Sequence, residues 1–244
     1  MFDGIHSFYD LFMAPLESLW IAKLRAHIVS KAEGRVLEVG AGTAVNLPYY
    51  SLDRLTELIL TDAKEDPDTL KRRVIVRLRK SGPRRFEPLS DIRARNQRND
   101  DDPASIQWGQ EKVYRQDPLS TPDIRGRVHC LQAAVEDLPF DSGQFDTVVA
   151  TLLFCSVQDP EIALGEVYRV LRLGGQFLFI EHVRPLDPRT ASLFDSLTPG
   201  WRRIASGCHL NRDTLHSIQE AGFTITEFKR PGNGVFVGGV GVKP

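Results

Sequence analysis

The chain has 244 residues, 41% of them hydrophobic, with 31 basic and 32 acidic side chains. A chain this long buries roughly 70–75% of its unfolded surface, so its core needs neither disulfides nor a metal. The net charge of −1 removes any global pull toward nucleic acid or an anionic membrane. Three widely spaced cysteines (Cys130, Cys155, Cys208) without a CxxC pair give neither a disulfide framework nor a zinc signature.

The opening MFDGIHSFYDLF lacks a basic stretch leading into an apolar one, so no signal peptide is expected. No run of eighteen apolar residues exists, so nothing is expected to span a membrane. A cytoplasmic monomer is the expectation. Residues 8–30 place Phe12, Leu16, Leu19 and Ile28 near helical spacing, a segment 1–30 that either packs on the sheet edge or forms a lid through Tyr9, Asp10 and Phe12. Met13, Leu16, Leu19 and Trp20 leave peripheral membrane contact open, with core packing favoured. RVLEVG from Gly34 reads as a buried strand ended by a glycine turn, and LTELILTD (55–62) as a second strand followed by helical residues.

Between residues 71 and 125 the periodicity stops. From Lys71 to Arg98 there are eleven Lys or Arg against two acids, after which Asp100, Asp101 and Asp102 reverse the sign. A basic stripe of this kind can neutralise phosphates. With only Phe86 before Trp108 for stacking, the expectation is a charged, partly disordered insertion whose KRRVIVRLRK forms a solvated helix, and nucleic acid is not expected as a partner.

Order resumes at RVHCLQAAVEDLPF (127–140), a short strand and loop, then QFDTVVATLLF (144–154), a strand apolar on both faces. Leu164, Val167, Tyr168 and Leu171 predict an amphipathic helix over 160–172 that stops at Gly174-Gly175. GQFLFIEHV (175–183) is a further strand, and residues 211–221 a helix capped by Asn211 and ended at Gly222. FTITEFKR and VFVGGVGV flank a Pro-Gly-Asn-Gly turn and read as an antiparallel hairpin. Strands alternating with helices predict an α/β fold: one domain over 1–244, built on a mostly parallel seven-stranded sheet closed by that hairpin.

The sharpest signal is VLEVGAGTAVN (36–46). A strand runs into Gly40-Ala41-Gly42, where the backbone turns tightly and a ligand can approach without a Cβ in the way. Val45 occupies the place of a third glycine, so a dinucleotide fingerprint is excluded. What remains is Glu38-x-Gly40-x-Gly42, with Asp62 twenty residues after Gly42 at the end of the second strand, where a carboxylate meets ribose hydroxyls in a doubly wound sheet.

These residues resemble the class I S-adenosylmethionine-dependent methyltransferases, a Rossmann-like family. The acidic-x-Gly-x-Gly loop resembles Glu38 to Gly42, and the second-strand acid resembles Asp62. AVEDLPFDSGQFDTVVA (134–150) is similar to the family's adenine-side loop and fourth strand, and EVYRVLRLGGQFLFIE (166–181) to its fifth-strand entry, with Leu173 in place of proline. TLLFCSVQDP, IEHV and Trp201…Gly207-Cys208…Leu210 bring the chain nearest to the thiol S-methyltransferase-like branch of small-molecule methyltransferases. Two departures stand out: Ala44 replaces the third loop glycine, and Ala134 replaces the Asp that contacts the adenine amino group.

The resemblance implies S-adenosyl-L-methionine as cofactor and a small-molecule acceptor, foremost a thiol, with a phospholipid or quinone precursor as the alternative acceptor. Without turnover, the basic insertion would leave an RNA-binding protein as the reading. Glu38, Gly40, Ala41, Gly42 and Asn46 are implied at the amino-acid end of the cofactor, Asp62 at the ribose, and Ala63, Val135 and Glu136 around the adenine. Thr151 is implied near the methionine portion. On the acceptor side, His182 is a candidate for proton transfer or positioning, and Cys155 and Tyr9 for substrate contact; the same His182 and Cys155 also fit plain packing. A thiol of pKa near 8.5 is already about a few per cent thiolate at neutral pH, so a general base is helpful rather than essential. No metal is expected: Cys208 and His209 are adjacent and would point to opposite faces of a strand.

Overall fold

The computed structural model describes residues 21–81, 127–205, 207–231 and 234–244. Residues 1–20 of the expected lid segment, Tyr9, Asp10 and Phe12 among them, and the insertion beyond the first helical stretch lie outside the described residues.

The described helices are α1 (Ala22–Ile28), α2 (Pro67–Ser81), α3 (Pro160–Val170), α4 (Pro188–Ile204) and α5 (Thr214–Glu220). The strands are β1 (Gly34–Val39), β2 (Leu55–Asp62), β3 (Val128–Gln132), β4 (Phe145–Thr151), β5 (Leu171–His182), β6 (Thr224–Lys229) and β7 (Phe236–Val242). They form one seven-stranded sheet in the order β3-β2-β1-β4-β5-β7-β6. β1 to β5 pair in parallel, while β7 runs antiparallel to both β5 and β6. The expected mostly parallel, Rossmann-like sheet with a C-terminal hairpin is therefore what forms.

Side chains alternate across it with period two, as the pleat requires. Leu58 and Leu60 enter one core with Val36, Leu178 and Ile180, while Ile59 enters the other with Leu37, Phe177 and Phe179. Leu24 and Ile28 of α1 and Leu70 and Val74 of α2 close the first layer; Ala163, Leu164 and Val167 of α3 and Ile218 of α5 close the second. The first two helices thus lie on one face, and α3 and α5 on the opposite face. Strand order reverses between β1 and β4, which opens a crevice at their carboxyl ends.

Two boundaries and one whole element differ from the sequence reading. α3 ends at Val170, and Leu171 already pairs with Phe145, so Gly174-Gly175 is an irregularity inside β5 rather than a helix stop. Gly174 has φ +72°, its N–H donates to the Lys243 carbonyl at 2.8 Å, and the ladder slips between Phe145 and Thr147. The cap of α5 is Asp213, which accepts from the His216 N–H; Asn211 instead donates to Asp195 at 3.1 Å. α4, a 17-residue helix, had no counterpart in the reading. Pro188 opens it, where a missing N–H costs nothing, and Asp187 caps it by accepting from the Thr190 N–H at 2.8 Å. Pro199 and Gly200 inside it mask its period.

Candidate active site

The crevice begins with a carboxylate taken out of water. Glu38, 2% exposed, accepts from Asn46 Nδ2 at 3.0 Å and from the Tyr50 hydroxyl at 2.6 Å. The same Asn46 nitrogen donates to Thr151 Oγ1 at 2.9 Å, bridging the ends of β1 and β4. Burial pushes the Glu38 carboxyl up to about 7, against the pull of Tyr50, Asn46 and the buried Arg25 charge. Tyr50 is held well above its ordinary value by burial and by Glu38. Asn46 Oδ1 is buried with no partner among the described residues, an acceptor left over beside the crevice. Arg25 and Tyr50 were missed by the sequence reading; the available signal was an arginine set within an otherwise apolar helical stripe.

The glycine loop follows. Gly40 has φ +67° and Gly42 φ +52°. A Cβ on Gly40 would lie 2.6 Å from Leu153 Cδ1, while the nearest atoms to one on Gly42 are 4.0 Å away, so Gly42 leaves open space on its ligand side. Asp62 at the end of β2 holds this loop: the Gly42 N–H donates to Oδ2 at 2.9 Å, and the Lys64 and Glu65 N–H groups donate to Oδ1 at 2.9 and 3.2 Å. An ionised carboxylate offers about four lone-pair positions. Asp62 therefore ties the loop and keeps acceptor capacity for a ribose hydroxyl. The Ala41 N–H donates to the Thr61 carbonyl at 2.9 Å, completing the turn.

Ala44 takes φ +54° while buried, and Leu152, directly after β4, takes φ +55°. Among the described residues these are the only non-glycine positive-φ positions, and they sit in the two loops that flank the crevice. Such backbone costs about 1–2 kcal/mol for an L-residue and gathers at functional sites.

Ala63 is exposed beside Asp62, and its carbonyl accepts from Gln132 Nε2 at 3.2 Å. Val135 is buried, and Glu136 accepts from the Gln158 N–H at 3.3 Å. The loop carrying both is anchored from α3: the Leu138 N–H donates to Glu166 at 2.9 Å, and Arg169 forks onto Glu166 and the Phe140 and Leu138 carbonyls.

On the β5 side, Glu181 is fully buried and accepts three backbone amides, from Leu153 at 2.9 Å, Phe154 at 3.1 Å and Cys155 at 3.2 Å. Burial raises it to about 7, against those amides and the Arg212 charge. Glu181 thus caps the turn after β4. His182 lies between aromatic rings, stacked on Phe194 (centroids 5.9 Å, 8°) and edge-on to Phe236 (5.3 Å, 87°). Burial lowers it to about 4, so its ring is neutral at physiological pH. Cys155 is buried with Cys208 in a small cluster flanked by Phe194 and Trp201. Contact with Cys208 and burial keep the Cys155 thiol well above its ordinary range.

Among the described residues no group of three His, Cys, Asp or Glu side chains is placed to hold a metal ion, and no helix is long and apolar enough to cross a membrane. KRRVIVRLRK, expected as a solvated helix, turns two arginines inward. Arg73 Nη1 donates to the Gly42 carbonyl at 2.8 Å and Arg77 Nε to the Thr43 carbonyl at 3.3 Å.

A methyltransferase-domain family model matches residues 86–179, a stretch that holds β3, β4 and α3 but not the glycine loop. The thiol S-methyltransferase TMT1B of Rattus norvegicus is 46% identical over 85 residues, which are 34% of this chain and 35% of the relative. The human thiol S-methyltransferase TMT1A is 42% identical over 84 residues, 34% of each chain. The ubiquinone/menaquinone biosynthesis C-methyltransferase UbiE of Vibrio vulnificus is 31% identical over 130 residues, 46% of this chain and 50% of that one. The match thus spans from about a third to half of the length of these curated relatives. Among solved structures, a methyltransferase of Bacillus halodurans has TM-score 0.57 at 18% identity, covering 86% of this chain and 71% of its own. A Haloferax volcanii methyltransferase complex with the activator Trm112 has TM-score 0.59 at 14% identity, covering 98% and 96%. At these identities the likeness is one of fold.

Proposed function

We propose that the chain is a class I S-adenosylmethionine-dependent methyltransferase, as its fold and its partial sequence likeness support, and that it transfers the methyl group of S-adenosyl-L-methionine to a small-molecule thiol. The observation that carries the donor half is the crevice at the carboxyl ends of β1, β2 and β4. There a buried Glu38–Asn46–Thr151 bridge with an unpartnered Asn46 Oδ1 adjoins Gly42, which leaves open space where a Cβ would stand, and Asp62, which holds the Gly42 N–H. The cofactor supplies a methyl group already activated by a sulfonium, so the protein's task is alignment and exclusion of water, worth roughly 7–11 kcal/mol in favourable cases.

In this reading Glu38, Asn46 and the Gly40–Gly42 backbone hold the amino-acid end, with Ala41 fixed by Thr61. Asp62 accepts from the ribose, Ala63, Val135 and Glu136 border the adenine, and Thr151 stands by the methionine chain. The acceptor half draws on the partial likeness to thiol S-methyltransferases. Cys155, His182, Phe194 and Trp201 give that end an apolar, aromatic character suited to a soft, poorly hydrated nucleophile. His182 serves as a positioning group there, because a ring lowered to about 4 is a weak base near neutrality. The likeness to a quinone-biosynthesis C-methyltransferase over a longer stretch supports a quinone precursor as the second acceptor.

Calorimetric titration with S-adenosylhomocysteine, followed by methyl-transfer assays on an alkyl thiol and a demethylated quinol, tests both halves. Micromolar binding and thiol methylation are expected. No binding refutes the donor half, and quinol methylation without thiol methylation moves the acceptor to the second class.

A further inference from the structure

The loop that faces the ligand is also held from behind. α2 departs from the end of β2 and passes beneath Gly42 and Thr43. On that helix Arg73 donates to the Gly42 carbonyl at 2.8 Å and pairs with Glu65 at 2.9 Å, while Arg77 donates to the Thr43 carbonyl at 3.3 Å. Glu65 in turn gives its N–H to Asp62 Oδ1 at 3.2 Å. The four residues close a ring: Asp62 holds the Gly42 N–H, Arg73 holds the Gly42 carbonyl, and Glu65 links the two.

In a trans peptide the C=O and the following N–H point in opposite directions. A guanidinium pulling the Gly42 carbonyl toward α2 therefore turns the Thr43 N–H toward the crevice. No backbone acceptor meets that N–H among the described residues. Gly42 at φ +52° has no Cβ to fix this peptide plane sterically, so its orientation depends on what grips the carbonyl. Both contacts are made by Nη1, whose two hydrogens serve the carbonyl and the carboxylate together; the planar guanidinium fixes their directions, whereas a lysine ammonium on a flexible stem fixes them less well.

We propose that Arg73 is a positioning residue for the donor site. It fixes the Gly42–Thr43 peptide so that the Thr43 N–H meets the carboxylate at the amino-acid end of the cofactor. Arg77 supports the next peptide. The proposal rests on the donor-binding reading above and assigns a role to the described part of the basic segment.

The test titrates the wild-type chain and the Arg73→Ala, Arg73→Lys and Arg77→Ala variants with two ligands. S-adenosylhomocysteine carries the amino-acid end; methylthioadenosine has the ribose and adenine without it. For Arg73→Ala, affinity for S-adenosylhomocysteine is expected to fall roughly tenfold while that for methylthioadenosine stays within about twofold. Arg73→Lys should recover part of the loss, and Arg77→Ala should show a smaller loss with the same ligand preference. If Arg73→Ala does not fold, the lysine and Arg77 variants carry the comparison. Unchanged affinity for S-adenosylhomocysteine, or an equal loss for both ligands, overturns the proposal. Failure of the wild-type chain to bind S-adenosylhomocysteine overturns the donor reading itself, which keeps the two failures apart.

Discussion

Glu38→Gln removes one titrating proton from the base of the crevice and leaves the shape nearly unchanged. In the folded chain the Glu38 carboxyl is raised from 4.5 to about 7, chiefly by burial. Between those values the folded state keeps a proton that the unfolded state has released, so stability falls as pH rises. Its contribution is complete below the unfolded value and is lost through the folded one. At 1.36 kcal/mol per unit, the shift corresponds to about 3 kcal/mol between roughly pH 4 and pH 8. The substituted amide cannot titrate and, like the protonated acid, keeps one acceptor for Tyr50 and one donor on the Asn46 side, where the Asn46 amide turns over so that its unpartnered Oδ1 takes the place of Nδ2. Urea unfolding of both proteins across that range should therefore give curves that nearly meet at the acid end. They should separate by about 3 kcal/mol at the alkaline end, with the Glu38→Gln variant the more stable. Glu181 and His182 titrate in both proteins and cancel in the difference. Two parallel profiles would refute the reasoning, because they would mean that Glu38 titrates alike in both states. On the proposed donor reading, the same variant should bind S-adenosylhomocysteine more weakly at pH 8, since the charge assigned to the cofactor's amino-acid end is gone.

Other substitutions probe the remaining parts. Gly40→Ala places a Cβ 2.6 Å from Leu153 Cδ1 at φ +67°, and should cost about 1–2 kcal/mol in urea unfolding together with measurable cofactor affinity; wild-type stability would show that the turn tolerates a side chain. Asp62→Ala removes the acceptor of the Gly42 N–H as well as the proposed ribose partner, so cofactor affinity should drop by about 1.5–3 kcal/mol with a loss of thermal stability. Unchanged calorimetric affinity would sink the ribose assignment. His182→Phe suits the aromatic surround of Phe194 and Phe236. His182 is depressed from 6.5 to about 4, so it contributes a stability that rises with pH across that window, and the variant should lose this rise. Reduced turnover with intact cofactor affinity would mark an acceptor-side role, whereas normal turnover would leave packing as the whole account.

The sheet was readable because its central strands are apolar on both faces and punctuated by glycine, and the glycine loop because Glu38, Gly40, Gly42 and Asp62 keep a spacing with a mechanical reason. Local cues failed where tertiary structure overrides them. Gly174-Gly175 imitates a helix stop, yet pairing of Leu171 with Phe145 pulls the strand back across it. Pro199 and Gly200 hide α4, which is opened by its Asp187 cap rather than by propensity. The KRRVIVRLRK stretch reads as solvated because sequence reports charge and not direction. Only the fold reveals that Arg73 and Arg77 share the side of α2 that meets the loop. Arg25 and Tyr50 escaped for the same reason, since both act on Glu38 through space.

The two buried carboxylates do the same job on the two loops that flank the crevice. Glu38 fixes the loop after β1 through Asn46 and Tyr50, and Glu181 fixes the loop after β4 through three amides. Each grips a loop containing a non-glycine residue in the left-handed region, Ala44 in one and Leu152 in the other. Strained backbone persists only where its surroundings over-determine it. A buried, ionised carboxylate with several donors does so strongly, because its charge-assisted hydrogen bonds exceed neutral ones in strength. Both groups are raised to about 7, so both lose charge together as pH falls through neutrality. The loops then loosen even as the chain as a whole gains stability. Donor binding should accordingly strengthen with rising pH across the same window in which urea resistance declines. A merely structural pair of carboxylates would not produce these opposed trends, because nothing in the crevice would respond to their charge.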